Sequence, residues 1–263
     1  MIGIRALVAT AFLWSAACAG EIAQKPQARL FDGGVANGTR YAGLEIRLPG
    51  AAVTYWRDPG EAGVAPLFDF AGSDNLAEAE PLYPQPGRHD EGGVVAAGYR
   101  GAVTFPIRVT PQDATKPVVL TLKLDYAACE KICVPAHEDL SLTLPPTPEA
   151  AETAAIEATL HQIPRPLPDA EASAAADISV LAANAGKPRW RLHPLAFAPR
   201  DLFVEAPSGF FIETRREGGD FILTLAEHPA KRLLPPKPLR LTFSGDAPVE
   251  FDLTLPTPVT LPK

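Results

Sequence analysis

Val103-Thr104-Phe105-Pro106-Ile107-Arg108-Val109-Thr110 and, a little further on, Leu120-Thr121-Leu122-Lys123-Leu124-Asp125-Tyr126 are the stretches that decide the fold. In both, apolar side chains hold every second position, which is the period at which successive side chains of a β-strand fall on opposite faces. One apolar face and one wet face follow. Leu140, Leu142 and Leu144 repeat the alternation until Pro145-Pro146 ends it, and upstream Gly43 to Pro49 and Ala51 to Arg57 carry the same signal. Short strands separated by turn residues make the chain up to about residue 145 a β-sandwich by pattern.

Beyond it, Thr147-Pro148-Glu149 reads as an N-cap, a proline at the first helical position and an acid in the first turn, and predicts a helix over Ala150 to Ile163. Pro164, Pro166 and Pro168 end that helix, and Asp169 to Ala176 reads as a small-residue linker. The β pattern then resumes over Arg189 to Phe197, Gly209 to Arg215, Asp220 to Ala226, Leu239 to Ser244 and Val249 to Leu255. The expectation is an all-β protein of two sandwiches, residues 20–146 and 177–263, joined by a short helix and linker over 147–176.

The 29 prolines among 263 residues are about twice the usual share and are spread along the chain, which argues against long helices. An apolar fraction of 46% suits one or two packed cores. The net charge of −7 excludes partners that need a basic face, so neither nucleic acid nor anionic lipid is expected.

At the N-terminus, Arg5 precedes the apolar run Ala6 to Trp14 and the small residues Ser15-Ala16-Ala17-Cys18-Ala19-Gly20. This reads as a secretory signal peptide over residues 1–19, too short for a transmembrane span, and it implies an exported protein. Cys18 has a competing reading as the lipidated first residue of a lipoprotein. Ser15 stands where such a box normally has Leu. Without Cys18, Cys129 and Cys133 remain, an even number in a compartment where disulfides persist.

The two cysteines lie in Leu124-Asp125-Tyr126-Ala127-Ala128-Cys129-Glu130-Lys131-Ile132-Cys133-Val134-Pro135-Ala136-His137. A strand runs into Cys129, three residues turn the chain, and Cys133 leads toward the next strand, so the thiols sit at a hairpin tip, near enough to bond. Closing so small a ring stabilises a fold by roughly 2 kcal/mol, against about 4.7 for a loop of ~100 residues. A local pair is thus a poor staple and suits chemistry at the sulfurs; the plain alternative is a turn-closing disulfide. Lys131 would favour a thiolate and Glu130 beside it would oppose one. Cys129, Cys133 and His137, spaced by four and four, would suit Cu(I) or zinc, but no fourth ligand lies nearby and Met1 is the only methionine, so no metal is expected. His89, His161, His193 and His228 are isolated.

Thr54-Tyr55-Trp56-Arg57-Asp58-Pro59-Gly60-Glu61-Ala62-Gly63, then Pro66-Leu67-Phe68-Asp69-Phe70-Ala71-Gly72-Ser73-Asp74-Asn75, and finally Leu124 to Pro135 form three ordered motifs. Together they resemble the N-terminal periplasmic domain of DsbD-type and ScsB-type thiol:disulfide interchange proteins over residues 30 to 145, with weaker similarity of the C-terminal half to the region that follows in the ScsB branch. The resemblance implies immunoglobulin-like sandwiches and a redox pair, Cys129 and Cys133. That pair would accept electrons from a membrane donor protein and pass them to periplasmic thioredoxin-like proteins, with no cofactor. The family's lid over the cysteines corresponds here to Arg88-His89-Asp90-Glu91-Gly92-Gly93, which has no aromatic; Asp90, Glu91, Tyr126 and Lys131 are the candidate tuning residues. Tyr55-Trp56-Arg57 and Phe68-Asp69-Phe70 are expected mainly to pack the sandwich. The competing class is a non-catalytic binding or assembly module, in a copper-tolerance or cytochrome-maturation context, whose disulfide is structural.

Overall fold

The computed structural model describes residues 25–258, apart from 149, 150, 231, 233, 236 and 237. The expected signal peptide and Cys18 lie outside the described residues. Within them, the first half folds as β1 (Gln27–Ala36), β2 (Thr39–Arg47), β3 (Val53–Tyr55), β4 (Leu67–Asp69), β5 (Leu76–Pro81), β6 (Gly87–Asp90), β7 (Val95–Arg100), β8 (Ala102–Pro111), β9 (Val118–Cys129) and β10 (Cys133–Leu144). These form two sheets, β1-β2-β8-β5 and β10-β9-β3-β7-β6, with β4 added on β9. The alternation read from the sequence sets which side faces in. Val103, Phe105, Ile107 and Val109 from β8 meet Leu120, Leu122, Leu124 and Tyr126 from β9 in one buried core. Apolar area removed from water at about 25 cal/mol per Å² is what holds the sheets face to face.

The connection and second half follow as α1 (Thr153–Leu160), β11 (Arg165–Pro166), α2 (Asp169–Ala175), β12 (Ala176–Asn184), β13 (Lys187–Pro194), β14 (Asp201–Glu205), β15 (Phe211–Glu217), β16 (Asp220–Glu227), β17 (Leu239–Ser244) and β18 (Val249–Leu253). Two more sheets, β11-β18-β17-β14 and β12-β13-β16-β15, enclose a second core around Trp190, Leu192, Phe221, Leu223 and Phe243. The protein is all-β, two sandwiches of the immunoglobulin-like kind.

The connection departs from expectation in two ways. The helix begins at Thr153 after Glu152, so Thr147-Pro148 does not cap it. Its register is set by tertiary contacts: Ile156 is fully buried against Phe31 and Tyr41, and Glu152 is held by Arg29 at 2.7 and 2.8 Å. Residues expected to be linker form a second helix, α2, since Asp169 and Glu171 occupy the first turn after Pro168 and the remainder is mostly alanine, the best helix former.

The two sandwiches touch through side chains of both. Trp56 packs against Phe203 with ring centroids 5.8 Å apart and the ring planes tilted by 60°. Arg57, lying over the Trp56 ring, reaches Glu205 at 2.7 Å and Glu250 at 2.6 Å. Gln85 donates to Gln162 and to the Gly245 carbonyl. A cleft of about 550 Å³ opens beside these contacts, lined by Trp56, Gly60, Val95, Phe203, Phe211 and Thr214 among others.

Candidate functional site at the hairpin tip

Strands β9 and β10 pair along their whole lengths, and the last rung of the ladder is Cys133 opposite Cys129. The Cα atoms stand 4.0 Å apart and the sulfurs are bonded, so the disulfide closes the hairpin at its tip. The two sulfurs are not equivalent. Cys129 is 4% exposed and packs with Tyr55 and Ala96, whereas Cys133 is exposed. Apolar side chains flank the exposed sulfur in sequence: Ile132 is 75% exposed and Val134 46%.

Strand β3 brings the next group. Val53 pairs with Cys129, and Tyr55, two residues on, lies on the same face as Val53. Tyr55 is fully buried, yet its hydroxyl lies 3.7 Å from Cys133 Sγ and donates to the Glu91 carboxylate, whose oxygens are 2.9 and 3.0 Å away. Burial first, and the hydrogen bond to Glu91 second, hold the phenol protonated far above its ordinary range. Two glycines make room for this ring and its strand. Gly63, at φ +96°, approaches so closely that a Cβ would lie 2.3 Å from the Tyr55 ring. Gly98 of β7 pairs with Tyr55, and a Cβ there would lie 2.3 Å from the Thr54 carbonyl oxygen.

Glu91 comes from the opposite edge of the sheet. Strand β6 pairs with β7, and past Asp90 the chain turns through Gly92 and Gly93, both at positive φ, with the Glu91 amide donating to the Val94 carbonyl. Asp90 fixes this turn by accepting from the Gly93 amide at 3.1 Å. The segment named from the sequence therefore reaches Tyr55, and through its hydroxyl the neighbourhood of Cys133, by way of Glu91, while Asp90 shapes the turn.

Lys131 and Glu130 are exposed on the hairpin turn. Tyr126 is placed in the large core of the first sandwich rather than in the small cluster around Cys129, and burial pushes its phenol up to about 12. His137 faces Asp125 across the hairpin, with Nδ1 2.8 Å from the carboxylate, and Asp139 lies 3.5 Å from Nε2. With both cysteines bonded to each other and the imidazole engaged by two acids, the three do not form a ligand set; among the described residues no cluster of His, Cys, Asp and Glu suits a metal.

The expectation for Tyr55-Trp56-Arg57 is packing. Tyr55 and Trp56 both meet it, being buried, but Tyr55 also brings its hydroxyl to Glu91 and to 3.7 Å from Cys133 Sγ, and Arg57 binds the second sandwich. One signal in the sequence bears on this: a tyrosine at an inward strand position carries a hydroxyl that usually takes a partner when buried, as Tyr55 does.

Residues 20–145 match the family described as "Thiol:disulfide interchange protein DsbD, N-terminal". Among solved structures, the N-terminal periplasmic domain of ScsB from Proteus mirabilis aligns with a TM-score of 0.65 at 19% identity, covering 88% of this chain and 93% of that one, and so shares the fold. A chain from a structure of manganese lipoxygenase of Gaeumannomyces graminis with part of zonadhesin of Komagataella pastoris aligns at 11% identity with the same coverage, but its TM-score of 0.20 carries no weight. No curated protein matches the sequence significantly.

Proposed function

We propose, from the premise that residues 20–145 are a thiol:disulfide interchange domain of the DsbD N-terminal type, that the protein relays reducing equivalents in the periplasm. It would take them from a membrane reductase partner and hand them to thioredoxin-like proteins through Cys129 and Cys133. The observation that carries this reading is the asymmetry of the disulfide: one cysteine exposed at a hairpin tip, the other buried behind it.

Thiol-disulfide exchange needs a thiolate to approach a sulfur in line with the bond that breaks, so the accessible sulfur is the one attacked. A donor thiolate bonds to Cys133 Sγ, the S–S bond opens, and the electron pair leaves on Cys129, which takes up a proton. The donor's second thiolate then attacks its own sulfur in the mixed disulfide and releases Cys133 as a thiolate. The donor is oxidised to a disulfide and this pair is reduced by two electrons. The onward step runs in reverse sense: the Cys133 thiolate attacks the acceptor's disulfide, and Cys129 resolves the mixed disulfide. The Tyr55 hydroxyl, 3.7 Å from Cys133 Sγ, is a hydrogen-bond donor available to a thiolate there, and in the oxidised state it donates to Glu91. Lys131 adds positive charge on the same turn, and Asp90 keeps the Glu91 turn in shape. Tyr126 supports the strand that ends in Cys129. No cofactor takes part.

In this reading residues 1–19 are the export signal, 20–146 the redox sandwich, 147–176 the connection and 177–263 the second sandwich. The test is trapping. Incubated with an oxidised thioredoxin-fold protein, the Cys129→Ser variant should accumulate a mixed disulfide at Cys133, and Cys133→Ser should accumulate far less. If neither traps a partner and the potential of the pair lies below about −300 mV, the disulfide is structural and the binding-module alternative replaces this reading.

A further inference from the structure

The strand that ends in Glu91 is an edge strand. Within its own sheet, among the described residues, β6 has β7 on one side and no strand on the other. From this strand, Arg88 reaches across to the second sandwich: Nε donates to Asp201 at 2.6 Å, Nη2 donates to the Leu202 carbonyl at 2.7 Å and to the Thr214 hydroxyl, and the guanidinium lies over the Phe203 ring at 5.1 Å. The acceptors are themselves fixed. Asp201 also accepts from the Leu202 amide at 2.7 Å, and Thr214 donates to the Leu202 carbonyl at 2.9 Å. Arg88 is three residues from Glu91, the carboxylate that holds the Tyr55 hydroxyl beside Cys133.

We infer that Arg88 is a positioning residue through which the second sandwich sets the chemistry of the disulfide: by gripping Arg88, strand β14 and Thr214 of β15 supply the outer support that β6 lacks, and so keep Glu91 on Tyr55. This rests on the reading of Cys133 as the reactive sulfur with Tyr55 and Glu91 beside it. It gives the second sandwich a role in tuning, beyond that of a spacer.

The sign follows from what Glu91 does. In place, it occupies the Tyr55 proton and adds a negative charge near Cys133, and both disfavour a thiolate there. Released, it leaves the hydroxyl free to donate to the thiolate. Cys133 also has Glu130 and Lys131 on its own turn, and Arg88 hydrogen-bonds to neither. Arg57 serves as the control. It too binds the second sandwich, through Glu205 and Glu250, but it follows β3, which lies between β9 and β7 and needs no outer support.

The experiment follows alkylation of Cys133 by iodoacetamide against pH in the whole reduced chain, read by mass spectrometry, with circular dichroism on each variant. The midpoint of the profile reports the thiol, and its plateau reports access. Arg88→Ala should move the midpoint down, giving about threefold more thiolate near neutral pH, with Arg88→Lys part-way back. Asp201→Asn, which loosens the grip from the other side, should move it in the same direction. Arg57→Ala should leave it in place. In a Glu91→Gln background, Arg88→Ala should add nothing. If Glu91→Gln moves the midpoint and neither Arg88→Ala nor Asp201→Asn does, the inference is overturned while the site stands. An equal shift in Arg57→Ala also overturns it, since loosening of the whole contact would then be the cause. If Glu91→Gln itself has no effect, the reading of the site falls and takes this inference with it.

Discussion

Tyr55 is the residue on which the site turns, because one phenol proton faces two acceptors, the Glu91 carboxylate and Cys133 Sγ. In the oxidised protein the charged acceptor takes it, since a hydrogen bond to an ionised group is about twice as strong as a neutral one. Once a thiolate forms at Cys133, the competition is between two anions. Replacing Tyr55 by Phe keeps the ring in its slot under Gly63 and removes only the hydroxyl. In a Glu91→Gln background, where the hydroxyl is free to donate to the thiolate, its loss should shift the alkylation profile of Cys133 to higher pH and slow interchange roughly fivefold, the worth of about 1 kcal/mol for a hydrogen bond of this kind. An unchanged profile would remove Tyr55 from the chemistry. His137 makes a second test at this scale. Its hydrogen bond to Asp125 raises the imidazole above its ordinary 6.5, so the pair stabilises the hairpin fully at pH below that value and the contribution fades as pH rises through the raised one. The melting temperature of His137→Gln should therefore fall short of the unaltered protein's at pH 5.5, and the gap should close by pH 8.5.

At the scale of elements, the hairpin and the lid are built to opposite specifications. The ladder from β9 to β10 runs unbroken from Leu144 opposite Val118 to the disulfide, which makes the tip a rigid mount for Cys133. Strand β6 is four residues long, pairs on one side only and leads into a turn of two positive-φ glycines. Between them stand β3 and β7, brought together because Gly98 has no Cβ. The Gly98→Ala variant would drive a methyl against the Thr54 carbonyl, and in a sheet that cannot open without moving Tyr55 the cost is that of overpacking, roughly 1–3 kcal/mol. Urea unfolding should show that loss, and interchange activity should fall with it, because Tyr55 and Ala96 share the strands that separate. A stable variant with full activity would mean that β3 and β7 slide more freely than their register implies.

For the whole molecule, the disulfide matters little to the architecture and the contact between sandwiches matters more. The bond joins residues already paired at the end of a long hairpin, so its loop closes few degrees of freedom. Reduction should cost about 2 kcal/mol or less, leave the far-ultraviolet spectrum unchanged and lower the melting temperature by only a few degrees. Collapse of the fold on reduction would make the disulfide a staple. The two cores, by contrast, are joined by Trp56 on Phe203 and by the Arg57 cluster, groups that each sandwich must desolvate to meet the other. Phe203 of the second half is buried in the core of the first, so the two hydrophobic cores share a side chain at their contact.

The sequence by itself determined the elements whose cause is local. Period-two alternation placed β8, β9 and β10 and their inward faces, because side-chain direction along a strand depends on nothing beyond the strand. The cysteine spacing placed the sulfurs on facing ends of one hairpin, and the motifs around Tyr55, Phe68 and Cys129 carried the family resemblance. Short strands without alternation, such as β6 and β7, were not legible, since their pairing depends on neighbours brought by other segments. The helix start at Thr153 depended on Ile156 finding Phe31, and α2 on an alanine-rich stretch that alone reads equally well as linker. Only the tertiary structure decided that the hydroxyl of Tyr55 lies at Cys133, that Glu91 and not Asp90 meets it, and that Arg88 ties the lid strand to the second sandwich. Each of these joins residues distant in sequence through a contact a few ångströms long, and the positions of such groups are fixed by how sheets stack and twist, which no local pattern encodes.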